Sequence, residues 1–226
     1  MICKNHQRLL FTPALFALVL LVVVSSPTVS AQSAKVISIA EARSLPLGTV
    51  VTIDGSVTVP SGAFSSSTFD QGFAIQDRTG GIYVSTADNL GFDLRQQVRV
   101  TGTLADTVLP GLLVLIDVTD VKAHGTGPKV APVSVATGGV GEATEGSLVR
   151  ITGTITQPVI NDLPFGFIIF LNDGSGEVHV FVCASTGIDV SGLSPGQTIE
   201  VTGFSGEFAG SFEVDPRLHS DIRVVP

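Results

Sequence analysis

The sequence has no tryptophan, one tyrosine, one methionine and two cysteines, and Asp, Glu, Lys and Arg make up only 14% of its 226 residues. Each shortage excludes something. Cys3 lies ahead of an apolar run at the start, which leaves Cys183 as the one cysteine of the remaining chain. No intramolecular disulfide can then form, and no cysteine pair exists to hold zinc. His124, His179 and His219 are scattered without metal-ligand spacing. No Gly-x-Ser-x-Gly elbow appears. Gly139-Val140-Gly141 lacks the basic residue and the strand-to-helix frame of a phosphate loop. Asp173-Gly174-Ser175-Gly176 lacks the alternating carboxylates and distant Glu of a calcium loop, and reads as a turn. These absences assign no catalytic residue, no metal and no cofactor, and the expectation is a protein that is not an enzyme.

What is abundant points to strands. The chain has 25 Gly, its aromatics are dominated by 13 Phe, and runs of Lys, Glu and Leu that build helices are scarce. Lys4 and Arg8, the apolar run Leu9–Val24 and the small-residue tail ending Val29-Ser30-Ala31 form a signal peptide over residues 1–31. The expected location is secreted or periplasmic, with no stable membrane insertion after cleavage. The formal charge of -8 becomes roughly -10 once Lys4 and Arg8 are removed. Such an acidic exterior serves solubility and repels anionic partners at long range.

One phrase occurs four times: Val51-Thr52-Ile53-Asp54-Gly55, Val98-Arg99-Val100-Thr101-Gly102, Val149-Arg150-Ile151-Thr152-Gly153 and Ile199-Glu200-Val201-Thr202-Gly203. Apolar β-branched residues alternating with polar ones mark half-buried strands, and the closing Gly marks a bulge or sharp bend. The phrases fall into two pairs about a hundred residues apart. Ser38…Glu41 has capping-box spacing and predicts a short helix through Arg43. In the first copy strands are expected at Val50–Val59, Phe73–Gln76, Ile82–Ser85, around Val98–Gly102 and at Leu112–Val121. The second copy repeats the order at Leu148–Ile155, Phe165–Leu171, Glu177–Cys183 and around Ile199–Gly203. Its closing strand comes in pieces, Phe212–Val214 and Ile222–Val225, interrupted by Pro216. The fold class read from this is all-β, two tandem five-stranded Greek-key OB-fold barrels after an N-terminal signal peptide. The divisions are residues 35–124 and 133–226, joined by a linker over 125–132 with two Gly and two Pro.

The lead-in Ile39-Ala40-Glu41-Ala42-Arg43-Ser44-Leu45-Pro46-Leu47-Gly48-Thr49 resembles that of OB-fold domains of exported bacterial proteins, the type found beside extracellular nuclease and lamin-tail domains. Ile75-Gln76-Asp77-Arg78-Thr79-Gly80-Gly81-Ile82 and Val98-Arg99-Val100-Thr101-Gly102 strengthen the likeness, which is looser in the second copy. There the lead-in is missing and Asn172-Asp173-Gly174 occupies the hairpin. The resemblance implies a non-enzymatic binding or adaptor module with single-stranded nucleic acid as ligand. It carries no catalytic residues.

OB barrels bind through strands two and three and the flanking loops. Alternation turns Phe73, Ile75, Ile82 and Val84 inward and Ala74, Gln76, Tyr83 and Ser85 outward. In the second copy Ile169, Leu171, Val178, Val180 and Val182 face in, leaving Phe170, His179, Phe181 and Cys183 outside. The candidate ligand-binding residues are therefore Phe64, Phe69, Gln76, Arg78, Tyr83, Ser85, Phe170, His179 and Phe181. Tyr83 is the preferred stacking residue because its hydroxyl tolerates water. Phe170 and Phe181 have a second reading, as the contact between the two barrels. The acidic balance suits a protein or cell-envelope glycan partner better than nucleic acid, and an accessory role beside an extracellular nuclease is a further alternative.

Overall fold

The computed structural model describes residues 35–107, 109 and 111–225, so the signal peptide read over residues 1–31 lies outside them. In the first copy a short strand β1 (Val36–Ile37) and helix α1 (Ile39–Arg43) precede β2 (Val50–Val59), β3 (Phe73–Gln76), β4 (Gly81–Val84), β5 (Gln96–Asp106) and β6 (Leu113–Thr126). The second copy contains β7 (Val133–Ser134), a single 3₁₀ turn at Thr137–Gly139, β8 (Leu148–Ile155), β9 (Ile160–Asp162), β10 (Gly166–Asn172), β11 (Glu177–Cys183), β12 (Thr198–Phe208), β13 (Ser211–Asp215) and β14 (Ile222–Val225). The first barrel closes in the order β2-β3-β4-β6-β5 and back to β2, and the second in the order β8-β10-β11-β13-β12 and back to β8. These are two closed five-stranded barrels of one topology.

The repeated phrases pair with each other. Val51 lies opposite Gly102 and Gly55 opposite Val98 in the first barrel. Val149 lies opposite Gly203 and Gly153 opposite Ile199 in the second. Their apolar positions fill the two cores, while their polar positions bond across the strands. Thr52 and Thr101 hydroxyls sit 2.8 Å apart, Arg99 Nε is 3.1 Å from Asp54 Oδ2, and Arg223 Nη2 is 2.5 Å from Glu200 Oε1. The glycines mark close backbone approach. A Cβ at Gly203 would come within 2.7 Å of the Asp215 backbone, and one at Gly55 within 3.1 Å of the Gln76 backbone.

Both barrels are plugged by their lead-ins in the same way. Ser38 Oγ accepts from Glu41 N at 3.2 Å, capping α1 as the spacing predicts. The β3–β4 turn then caps the helix from the other side, with Asp77 accepting from Ile39 N at 3.0 Å and Thr79 Oγ1 from Ala40 N at 3.0 Å. In the second barrel Asp173 accepts from Thr137 N at 3.1 Å and Ser175 Oγ from Gly138 N at 2.9 Å. Asp173 and Ser175 thus do the work of Asp77 and Thr79, and the missing helix is replaced by one 3₁₀ turn. The closing strand also has two solutions. β6 is continuous, bends at Asp117 (φ 48°) and runs two residues into the stretch read as linker. Its counterpart is split at Pro216: β13 closes the second barrel against β11, and β14 pairs with the other half of β12.

A third apolar cluster lies between the barrels. Ala74 and Tyr83 on the outer face of β3 and β4 pack with Phe64, Val59, Leu112 and Val114 against Phe204 of β12. Tyr83 and Phe204 rings meet edge-on at 6.1 Å, and Phe64 lies 5.8 Å from Phe204. Polar groups ring this cluster. Gln76 Oε1 accepts from Leu148 N at 2.9 Å, and Arg43 Nη2 bonds Glu145 Oε1 at 2.7 Å. Arg217, held by both oxygens of Asp221, donates from Nη1 to the Thr58 carbonyl at 2.6 Å. Burying one large side chain such as Phe204 contributes roughly 1.5–3 kcal/mol, so the seam is a substantial part of the fold.

Gly81 and Gly146 touch backbone to backbone at this seam, and a Cβ at Gly81 would lie 2.0 Å from the Gly146 carbonyl oxygen. Gly81→Ala is therefore expected to lower unfolding stability by about 1–3 kcal/mol. Gly192→Ala, at a position with open space around it, should stay within about 0.5 kcal/mol of the parent. Urea denaturation of both variants checks this, and equal stability of the two would contradict the seam.

Candidate functional site

The loop joining β2 to β3 is ordered around one buried acid. Asp70 Oδ1 accepts from the Tyr83 hydroxyl at 2.8 Å and from Ser66 N at 3.1 Å. Its Oδ2 accepts from Ser66 Oγ at 2.7 Å and Thr68 Oγ1 at 3.0 Å. Burial would raise the Asp70 pKa, but the hydroxyls of Ser85, Ser66 and Tyr83 outweigh it and hold the carboxyl below its ordinary value. Burial and the charge of Asp70 push the Tyr83 phenol far up. Gly72 is required here, because a Cβ would come within 2.5 Å of the Tyr83 hydroxyl. With the loop fixed, Phe69 projects outward, 75% exposed and in the left-handed backbone region at φ 57°. A bulky residue held there is strained, and strain of this kind concentrates at functional loops.

On the second barrel, β10 and β11 place Ile168 opposite Phe181, Phe170 opposite His179 and Gly166 opposite Cys183. The inward set Ile169, Leu171, Val178, Val180 and Val182 is buried in the core, so alternation holds. Beside β11 runs β13, whose Glu213 lies in register with His179. Val214 turns into the core while Glu213 and Asp215 take the outer side. The β12–β13 hairpin turns on Ala209 (φ 53°) and Gly210 (φ 82°), both left-handed, which places Phe208 at its tip.

These pieces enclose a cleft of about 540 Å³ between the first barrel's Phe64–Phe69 loop and the outer face of the second. Phe69, Phe165, Phe181 and Phe208 form its apolar walls, and Phe69 and Phe165 rings are 6.3 Å apart. Its polar lining consists of Ser65, Ser66, Ser67, Ser185, Cys183 and three acids, Asp162, Glu213 and Asp215. Among the described residues no Lys or Arg lines it. Burial pushes Glu213 up to about 7. Asp215 is raised well above its ordinary value by burial, then by the charges of Glu213 and Cys183. Asp215 Oδ1 is buried with no hydrogen-bond partner among the described residues.

The sequence-derived candidates separate into three groups. Phe69 and Phe181 line the cleft. Phe64 lines it too but is mostly consumed by the seam. Gln76 and Tyr83 point outward from their own barrel as expected, yet the second barrel covers them, so neither offers a face to a ligand. The physical reason is the seam: Phe64 stacks on the Tyr83 ring at 6.1 Å and Phe204 meets it edge-on, which leaves Tyr83 fully buried. Arg78 is exposed in the β3–β4 turn and Ser85 is half-buried beside Asp70, both outside the cleft lining. Phe170 and His179 form an edge-on pair at 4.6 Å on the second barrel, also outside it. The reading of Phe170 and Phe181 as the contact between barrels is corrected: the buried centre of that contact is Phe204 against Tyr83 and Phe64, ringed by Leu148, Glu145 and Arg217, while Phe181 lines the cleft beside it. Phe165, Glu213 and Asp215 were missed, although Phe212-Glu213-Val214-Asp215 alternates well enough to place both acids on one face.

No protein-family model matches the chain, and no curated protein matches it. Among solved structures it is similar to the hypothetical protein ygiW from E. coli, at 20% identity over 46% of this chain and 100% of that one, with a TM-score of 0.32. It is also similar to fission yeast Pot1, solved with ssDNA, at 12% identity over 83% of this chain and 87% of that one, TM-score 0.37. A third similarity is to the p204 HINb domain, at 14% identity over 79% of this chain and 96% of that one, TM-score 0.36. The assignment of two barrels rests on the strand pairings rather than on these likenesses.

The raised carboxyls have a signed consequence. Native Glu213 keeps its proton where the unfolded chain, at the ordinary 4.5, has released it, so stability falls as pH rises from 4.5 toward about 7. Glu213→Gln should reduce that fall, as measured by urea midpoints across the same range. An unchanged slope would contradict the burial of this acid.

Proposed function

We propose that the protein is a non-enzymatic binding module acting outside the cytoplasm, and that the cleft between its barrels takes a protein partner. The segment it recognises presents an apolar side chain next to a Lys or Arg. The supporting observation is the lining itself, five Phe side chains around Asp162, Glu213 and Asp215, with no basic residue among the described ones. An apolar side chain entering there gains burial against Phe165 and Phe181. A neighbouring cation gains the electron-rich ring faces and favours the charged forms of Glu213 and Asp215 over the neutral forms that burial prefers. Exposed Leu109, Ile160 and Leu163, 41%, 43% and 56% accessible, extend the apolar character around the same region of the surface.

Single-stranded nucleic acid is the second reading, and the Phe170–His179 pair on the open face of the second barrel is what favours it. A strand running from that pair into the cleft would bring phosphates against Asp162, Glu213 and Asp215, with no positive groove to hold them. An accessory role beside an extracellular nuclease belongs to this second reading.

Fluorescence anisotropy at low salt separates the two. A peptide array pairing Lys or Arg with Phe and Leu is expected to yield binders that Phe181→Ser weakens at least about tenfold, the scale of a buried aromatic anchor. A single-stranded oligonucleotide is expected to show no binding that responds to Phe181→Ser. Tight oligonucleotide binding lost in Phe170→Ser, with no peptide bound, would overturn the proposal in favour of the second reading.

A further inference from the structure

A second group of carboxylates lies at the seam, apart from the cleft lining except at its rim. The turn Gly141–Ser147 precedes β8 and is stitched to β12, with Gly146 N donating to the Ser205 carbonyl at 2.7 Å and Ser205 N to the Ser147 carbonyl at 2.9 Å. Thr144 Oγ1 and Ser205 Oγ add a contact at 2.9 Å. Glu142 and Glu145 stand three residues apart on this turn, so their side chains share one side. Glu207 of β12 comes to meet them. One carboxylate oxygen from each of the three lies within 4.8 Å of the others.

Glu145 sets this group apart from an ordinary acidic surface. It is only 3% exposed. Its Oε1 is occupied by Arg43 Nη2 at 2.7 Å and Leu113 N at 3.2 Å. Its Oε2 is buried with no partner among the described residues, in a carboxylate that faces Glu142 and Glu207. A buried carboxylate oxygen left open asks for a donor or a cation. Among the described residues no side chain donates to Oε2, and Asp106 adds a further negative charge near Glu207. The approach of Glu207 is also provided for. Its side chain lies over Gly111, where a Cβ would sit 2.6 Å from Glu207 Cδ and where φ is +141°.

We infer that Glu142, Glu145 and Glu207 form a divalent-cation site that takes calcium. All three ligands are carboxylate oxygens, the donor type of calcium and magnesium rather than of zinc or copper. Two oxygens on one ion can be no further apart than twice the metal–oxygen distance, about 4.6–5.2 Å for calcium but only about 4.0–4.2 Å for magnesium. Separations of up to 4.8 Å fall within the span calcium allows, and magnesium, which sheds its water reluctantly and prefers one or two carboxylates, suits three protein carboxylates less well. Water completes the shell on the open side, where Glu142 is exposed. Arg43 offsets one of the negative charges, which places the affinity in the range of extracellular calcium modules, on the order of 10⁻⁴ M. Bound calcium would tie the 141–147 turn to the β12–β13 hairpin and so fix the position of Phe208 at the cleft rim.

The test is isothermal titration of the chelator-treated full chain with calcium chloride, alongside thermal melts at matched ionic strength. Calcium is expected to bind once and to raise Tm by about 5 °C at saturating concentration. Magnesium should bind at least about tenfold more weakly. Glu142→Gln, at an exposed position, and Glu207→Gln should each weaken calcium at least about tenfold while leaving the metal-free fold intact. Absence of heat and of a Tm shift in the parent would overturn the site. So would equal responses to calcium, magnesium and sodium, or calcium binding unchanged in both variants. None of these outcomes depends on what occupies the cleft.

Discussion

The burial of the first barrel's outer face against Phe204 is the contact on which the rest of this structure depends. In an isolated barrel Ala74, Gln76 and Tyr83 would look into solvent. Here they line the wall of a third core, with the phenol donating to Asp70, whose other oxygen accepts from the Ser66 and Thr68 hydroxyls. That one contact covers the outer face on which Gln76 and Tyr83 lie. It also fixes the Phe64–Phe69 loop and carries it over to the face of the second barrel. The cleft is a consequence of the seam rather than a property of either half.

The barrels themselves were legible because their information is local and repeated. Strict alternation in the four phrases names the strands, and the glycines that end them report close passage of a neighbouring backbone at Gln76, Ile116, Asn172 and Asp215. Equal spacing of the phrases gives two copies, and their pairing gives the register. The seam was not legible for an equally physical reason. Alternation says that Tyr83 leaves its own core, but not whether water or another domain receives it. Phe204 directly follows the fourth phrase and reads as one more strand residue, and Gly81 and Gly146 give no sign that they touch. In the cleft, Phe69 and Phe181 stood out as aromatics without an inward position. The acids of β13 did not, because a lone outward Glu or Asp is usually a solvated one.

The chemistry of the cleft follows from taking those acids out of water. An outward carboxylate on a single barrel would be hydrated and ordinary. Glu213 and Asp215 are shut between the hairpin, β11 and the seam, which favours their neutral forms and leaves Asp215 Oδ1 seeking a donor. The result is an aromatic cleft with an acidic floor and, among the described residues, no Lys or Arg in its lining. The fold therefore covers the outer face of one barrel with the side chains of the other and lines the cleft beside the second with acids.

The seam has a direct spectroscopic reporter, because Tyr83 is the only tyrosine in the chain. Its ultraviolet absorbance, followed as pH is raised, measures ionisation of that one phenol. If the second barrel covers it beside the charged Asp70, tyrosinate will be absent through the ordinary value of 10.0 and will emerge only together with loss of the folded circular-dichroism signal. A reversible transition centred near 10.0 in a protein that stays folded would show the phenol in water, and the two barrels standing apart.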